Sequence, residues 1–365
     1  MAPPRHLASL PKLSGDQIAW PIPFSEGIEQ LLKLRGNQVV VIFSGDPFWF
    51  GAGSQVTQNL DRKEWRAIPA KSCFSLAAAE LGWPIEKTIQ LGLHSAPFTR
   101  LRPFLIVNQR ILVTVRDGDA VEPLIKYLFD TGFRESEVFV LEALGSVSQQ
   151  VTKTIVKDKT TGNFQHPLMV GIKVSGDGDS LPQASGIGDD WFSHDGQMTK
   201  QPIRALTLSA LAPKKGQYLW DLGSGSGSIA IEWLLSGPSM KATAVEKNSN
   251  RVANINLNAK KLGVDWIDVI EADYIDVLDK LDPPDAVFIG GGFGAEIFAK
   301  LWKIIPAGTL LVTNSVTIET DRLIVDYAEK FGGQLLRFEY SQPKQIGGKS
   351  SWKSSYPITQ WVVVR

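Results

Sequence analysis

Three carboxylates and three glycines carry the first chemical signal in this chain. In LWDLGSGSGSIAIEWL (Leu219–Leu234) an apolar run ends in Asp221, then Gly223, Gly225 and Gly227 alternate, and a helical pattern begins. The next apolar run ends in Glu246, nineteen residues past Gly227, and the one after it is followed by Asp273. A dinucleotide loop needs G-x-G-x-x-G and aims a helix N-terminus at a pyrophosphate. Here the third glycine falls one residue early, and Asp221 opposes phosphate. A charged amino acid joined to a nucleoside, without phosphate, suits the set better. Asp221 matches an ammonium, Glu246 can accept from both ribose hydroxyls, and Asp273 can accept from an adenine amino group. S-adenosylmethionine has these three parts. Each acid alone reads as a solvated strand end, but three in order at consecutive strand ends predict a binding site.

The elements that must hold these residues follow from the periodicity. Apolar runs lie at Gln217–Asp221, Ala242–Val245, Ile267–Glu271, Asp285–Ile289, Thr309–Thr313, Leu335–Tyr340 and Ile358–Val364. Helical patterns separate the first six, which predicts a parallel sheet covered on both faces. One helix is expected from about Ser249 to Leu262, with Asn248 as N-cap and Gly263 beyond its end. The last two runs are joined by SQPKQIGGKSSWKSSYP, which has no helical period, so they are expected to pair antiparallel. The result is a Rossmann-like, seven-stranded α/β fold with one antiparallel strand, the architecture common to class I S-adenosylmethionine-dependent methyltransferases. Gly290-Gly291-Gly292-Phe293-Gly294 follows the fourth strand, and Asp282-Pro283-Pro284 precedes it. No clamp for an exocyclic amine stands after that strand, which favours a carbon or oxygen acceptor.

The first half is also read as α/β. Val39–Phe43 is expected to be a strand buried on both faces, with further strands at Ile111–Val115, Val138–Leu141 and Leu168–Val174. Helices are predicted near Ser25–Arg35, Ser72–Leu81 and Val121–Asp130, ended by Gly36, Gly82 and Gly132. A Gly/Ser/Asp-rich stretch near Ser175–Asp190 marks a linker. The predicted organisation is a first domain over 1–175, a linker over 176–188 and a second domain over 189–365.

Composition narrows the function classes. At 365 residues with 43% hydrophobic and 21% charged side chains, two ordinary cores can form. Lys plus Arg and Asp plus Glu number 38 each, which argues against a nucleic-acid partner held by global charge. A single cysteine, Cys73, leaves no internal disulfide and fits a reducing cytoplasm. No apolar run is long enough to span a membrane, and the four histidines lack zinc-ligand spacing, so neither a membrane nor a metal partner is expected.

DDWFSHDGQMTKQPIRALTLSALAP (Asp189–Pro213), with LWDLGSGSGSIAIEW and FIGGG, resembles the decarboxylating precorrin methyltransferases of cobalamin biosynthesis over Gly186 to Arg365. VVVIFSGDPFWFGAG (Val39–Gly53), IPAKSCFSLAAAELGWP (Ile68–Pro84) and VLEALG (Val140–Gly145) are similar to the tetrapyrrole methylase family, the usual fusion partner. The resemblance implies methylation of the meso carbons 5 and 15 of precorrin-6B or its cobalt form, with loss of the ring C acetate carboxyl, S-adenosylmethionine as donor and a homo-oligomeric state. It places a second cofactor site at Gly45 and Asp46. A polycarboxylate substrate calls for cations, and Lys200 with Arg204, one helical turn apart, are the candidates in the second domain; a solvated helix face is the other reading. The residues before Ser25 hold no apolar run fit for a central strand, so the first domain is expected to lack its first strand. The alternative function is therefore a chain in which only the C-terminal domain acts. A methyltransferase with another substrate and a cofactor-binding scaffold are the rival classes.

Overall fold

The computed structural model describes residues 1–11, 15–158 and 162–365. Two compact units emerge, one from Met1–Ala96 with Val107–Gly178, the other from Pro97–Ile106 with Asp179–Arg365. Among the described residues no helix is long and apolar enough to cross a membrane.

In the first unit three short or amphipathic helices, α1 (Pro4–Leu7), α2 (Phe24–Lys33) and α3 (Gly53–Thr57), precede α4 (Cys73–Leu81). Ser72, expected as the first helical residue, instead caps α4 by accepting from the Ser75 N–H, and Gly82 ends the helix as the sequence predicts. The strands are β1 (Thr88–Gly92), β2 (Arg110–Thr114), β3 (Glu137–Glu142), β4 (Gln150–Ile155) and β5 (Leu168–Lys173), with α5 (Val121–Asp130) between β2 and β3. They form one sheet in the order β1-β2-β5-β3-β4, in which only β1 and β2 run parallel. Phe74, Ala77 and Ala78 of α4 pack on Leu112, Leu141 and Met169 of that sheet.

The strand expected at Val39–Phe43 is not formed. Among the described residues its backbone bonds reach only Met1, whose amino group donates to the Val40 carbonyl and whose carbonyl accepts from Ile42 N–H. A strand needs a ladder partner, and among the described residues none runs beside it. Its burial is one-sided: Val39, Val41 and Phe43 pack in a small cluster with Trp20 and Leu31, while Val40 stays 68% exposed. Apart from α1, the described residues before α2 contribute an isolated bridge, Ala2 to Ala19, and no strand.

The second unit is doubly wound. Its helices are α6 (Gln201–Leu211), α7 (Ser228–Leu235), α8 (Ser249–Leu262), α9 (Ala295–Ile304) and α10 (Ile318–Phe331). Its main strands are β6 (Tyr218–Leu222), β7 (Lys241–Glu246), β8 (Asp268–Glu271), β9 (Ala286–Ile289), β10 (Leu310–Ser315), β11 (Gln334–Phe338) and, last in the chain, β14 (Ile358–Val364). Between β11 and β14 the polar segment forms an exposed hairpin of β12 (Ser341–Ile346) and β13 (Lys349–Ser354). The seven-stranded order is β11-β14-β10-β9-β6-β7-β8. Only β14 runs against its neighbours. Leu219 faces a core closed by α6, α7 and α8, whereas Trp220 and Leu222 face one closed by α9 and α10. The α8 boundaries, the Asn248 cap and Gly263 in the left-handed region all match the sequence expectation.

Candidate functional site

Strand order reverses at β6, which has β7 on one side and β9 on the other. Open α/β sheets bind ligands at that point, beyond the carboxyl ends of the strands. The register brings the predicted residues there. Asp221 lies between Ala244 of β7 and Phe288 of β9, and Glu246 is opposite Glu271 of β8. The glycine loop turns back over this edge, with Gly223 and Ser224 both donating to the Val245 carbonyl. Gly227 has φ +75°, and an added Cβ would stand 2.8 Å from the Ile255 side chain, so glycine is required both for the turn and for the approach of α8.

The three acids have different surroundings. Asp221 is almost fully buried; its Oδ2 accepts the Ala230 N–H of α7 at 3.1 Å, and its Oδ1 has no hydrogen-bond partner among the described residues. Burial pushes its carboxyl up to about 7. Glu246 accepts from Gly225 N–H at 2.9 Å and Asn248 N–H at 3.0 Å, one on each oxygen, so it ties the glycine loop to the start of α8. Each of those oxygens retains a lone pair for a hydroxyl donor. Asp273 is half-exposed, accepts from Ile275 N–H at 3.3 Å and faces Lys247 Nζ at 4.0 Å. Tyr274, next in sequence, donates its hydroxyl to the Gly292 carbonyl at 2.9 Å. Burial, then the neighbouring Asp273 charge, raises its phenol above the usual range. An added Cβ on Gly223 would meet the Gly291 carbonyl at 3.2 Å and Tyr274 at 3.8 Å, so the first glycine, the β9 glycines and Tyr274 converge. Tyr274 carried no motif of its own in the sequence.

Arg204 is turned into the protein interior. It is wholly buried, its Nε donating to Glu232 at 2.5 Å and its Nη1 to Asp189 at 3.1 Å and to the Thr199 carbonyl at 2.5 Å. Its Nη2 donates to the Ile187 carbonyl, and its guanidinium lies over the Phe192 ring. Lys200 is the N-cap residue of α6, with Nζ 3.8 Å from Asp189. The helical spacing therefore brings both cations to one place, but that place is Asp189. Arg204 forms an internal clamp because a guanidinium this deep must satisfy its donors with nearby carbonyls and carboxylates, while the Lys200 side chain stays 45% exposed. Asn258 was also missed. Fully buried on α8, it exchanges hydrogen bonds with Ser193 and donates to the Ser226 carbonyl of the glycine loop. An asparagine within the apolar stripe Ile255–Ala259–Leu262 was the available signal.

In the first unit Gly45 and Asp46 line a cleft of about 540 Å³. Gly45 has φ +70°, and Asp46 accepts the Phe48 N–H at 2.8 Å, which holds the turn. Three of the four histidines, His6, His94 and His166, share the cleft with Arg5 and Lys71. Arg5 donates to Ser44 Oγ at 2.9 Å and lies 3.1 Å from His166 Nε2, and His6 Nε2 is 2.9 Å from the same Ser44 oxygen. Burial, then the Arg5 charge, lowers the His6 pKa. Trp49, Phe50, Leu76 and Met169 supply apolar wall. The cleft thus joins cationic groups to flat apolar surface. Among the described residues no group of His, Cys, Asp and Glu is arranged to hold a metal ion.

The donor set of the second unit fits a zwitterionic nucleoside: a buried carboxylate with one oxygen unpartnered, a second carboxylate at the next strand end and glycine backbone between them. Two family models match the chain. Residues 25–159 match the Tetrapyrrole (Corrin/Porphyrin) Methylases, and residues 190–365 match the Precorrin methyltransferase domain. The chain is 40% identical to a precorrin-6Y C(5,15)-methyltransferase [decarboxylating] of Sinorhizobium sp, over 98% of this chain and 87% of that protein. A probable cobalt-precorrin-6B C(15)-methyltransferase (decarboxylating) of Pyrobaculum aerophilum is 36% identical, over 49% of this chain and 96% of that one. Among solved structures, the C-terminal domain of precorrin-6Y C5,15-methyltransferase from Rhodobacter capsulatus is 39% identical, covers 51% of this chain and all of that one, and has a TM-score of 0.49. With a tetrapyrrole methylase unit and a precorrin methyltransferase unit in one polypeptide, the chain is a methyltransferase that belongs to the decarboxylating precorrin-6Y C(5,15)-methyltransferase family.

Proposed function

We propose that the chain methylates meso carbons 5 and 15 of precorrin-6B, or of its cobalt form, and removes the ring C acetate carboxyl as carbon dioxide, within cobalamin biosynthesis. The observation that carries this reading is the convergence of Asp221, Gly223, Glu246 and the Tyr274–Gly292 pair at the reversal point of the second sheet. S-adenosylmethionine supplies the methyl group there. Asp221 Oδ1 receives its ammonium, Glu246 its ribose hydroxyls and Asp273 its adenine amine. In each transfer the electron-rich meso carbon would form a bond to the methyl carbon as the carbon–sulfur bond breaks, the neutral thioether leaves, and the ring gives up a proton. In the decarboxylation the bond to the carboxyl breaks, carbon dioxide leaves, and its electrons pass into the conjugated ring, which then takes a proton. Such steps need alignment and exclusion of water more than an activated side chain, and near-attack geometry is worth roughly 7–11 kcal/mol.

The first unit takes the carbon 5 step, with a second S-adenosylmethionine against Gly45 and Asp46. Arg5, Lys71 and the three histidines suit the carboxylate arms of the substrate, and Trp49 and Phe50 its flat ring. The functional division follows domains at 1–175 and 189–365 joined by 176–188, in a cytoplasmic homo-oligomer that has no nucleic-acid partner. A second reading, in which only the second unit acts, is favoured by one observation: residues 38–43, which lead into Gly45, have no ladder partner among the described residues. Product mass after incubation with S-adenosylmethionine and precorrin-6B decides between them. Two methyl groups gained with carbon dioxide lost support the full reading, and one methyl with carbon dioxide lost supports the second. An unchanged mass with both the metal-free and the cobalt substrate overturns both.

A further inference from the structure

We infer that Arg204 is a positioning residue for the methyl-donor site, acting as the clasp of a strap, Ile187–Thr199, that roofs the glycine loop. This rests on the reading that the glycine loop binds S-adenosylmethionine. The strap is closed at both ends by one guanidinium: Nη2 holds the Ile187 carbonyl and Nη1 holds both Asp189 and the Thr199 carbonyl. Glu232 of α7 anchors the same point, accepting from Gly186 N–H at 2.6 Å, Ile187 N–H at 3.0 Å and Arg204 Nε at 2.5 Å. Both partners of this pair are withdrawn from water, and Arg204 is wholly buried.

Between its ends the strap is tied to the elements that build the site. Asn258 exchanges two hydrogen bonds with Ser193 and gives a third to Ser226 between the glycines. Arg251, near the start of α8, donates to Asp195 at 2.7 Å and to Gln197 at 2.9 Å. The Gln197 carbonyl then lies 3.6 Å from where a Cβ on Gly225 would stand, so the strap runs directly over the middle glycine. A loop whose ends are pinned together has few alternative courses, and its placement over Gly225 costs little entropy when the ligand arrives. The fully buried arginine is thus remote from the chemistry yet sets the roof under which the donor binds.

The test is calorimetric binding of S-adenosylmethionine to the full chain, with steady-state kinetics and hydrogen exchange of residues 187–199. Arg204→Lys keeps the charge but cannot reach all four acceptors. Where that variant does not fold, Arg204→Leu with Glu232→Gln removes the buried pair together, leaving an acceptor for Gly186 N–H. The expected result is donor affinity weakened roughly tenfold and KM for the donor raised alike, with kcat at saturation near wild type and faster exchange in the strap. Unchanged donor affinity in a folded variant whose strap exchanges faster would overturn the inference. So would a loss of active fraction with KM unaltered, the mark of a merely structural arginine. Failure of the wild-type chain to bind S-adenosylmethionine at the second unit removes the underlying reading instead.

Discussion

Asp221 is where burial and ligand chemistry meet. Its carboxyl is raised from 3.8 to about 7 by desolvation, so between those values the folded chain holds a proton that the unfolded chain has released. Stability contributed at this site is therefore greatest at low pH and declines as pH rises through that interval. An ammonium placed against Oδ1 favours the ionised form, so donor binding should expel a proton. At about pH 6, calorimetry in buffers of different ionisation enthalpy should detect that release, and Asp221→Asn should abolish it. Proton uptake on binding would contradict the assignment. Gly227 offers a steric test of the same loop. Its positive φ and the 2.8 Å approach to Ile255 make Gly227→Ala costly by about 1–3 kcal/mol in urea denaturation, with loss of donor binding.

At the scale of elements, the two strand-like runs of the first unit should respond differently to substitution. Val40 is exposed in a segment without a ladder, so Val40→Thr should shift stability by less than about 0.5 kcal/mol. Leu112, wholly buried on β2, should cost about 2–5 kcal/mol when cut to alanine. Comparable losses at both positions would mean that Val39–Phe43 is a core strand after all. The contrast also explains what the sequence could tell. The second unit was readable because buried parallel strands alternate with capped helices, and α8 carries both its Asn248 cap and its Gly263 stop. In the first unit β1 and β4 went unnoticed; β4 is an edge strand, exposed over its first four residues, whose Gln150, Thr152, Lys153 and Thr154 mask its β-branched character. Val39–Phe43 misled because an apolar run reports extended, packed chain and says nothing of whether a partner lies beside it. In the site, residues at strand ends could be placed from spacing alone. The burial of Arg204 could not, because it depends on Glu232 and Asp189, which lie 28 and 15 residues away in sequence.

For the whole molecule, two units with separate cores predict separable defects. Gly45→Val forces a left-handed turn on a β-branched residue and should cost one methyl group in the product while leaving decarboxylation intact. Gly227→Ala should do the reverse, and mass spectrometry of the products distinguishes them. A single lesion that removed both activities would mean that the units do not work independently. The path of the chain adds a constraint of another kind. Pro97–Ile106 belongs to the second unit although it is written in the first half of the sequence. Its Arg100 makes a two-pronged ion pair with Asp265, at 2.7 and 3.1 Å, and lies over the Trp266 ring, while the Thr99 carbonyl crowds Gly263. One cut near residue 178 therefore parts Arg100 from Asp265. A hybrid gene joined there would bring a stranger's decapeptide to the end of α8, so a graft that keeps the Arg100–Asp265 pair carries Pro97–Ile106 along with the half it does not adjoin.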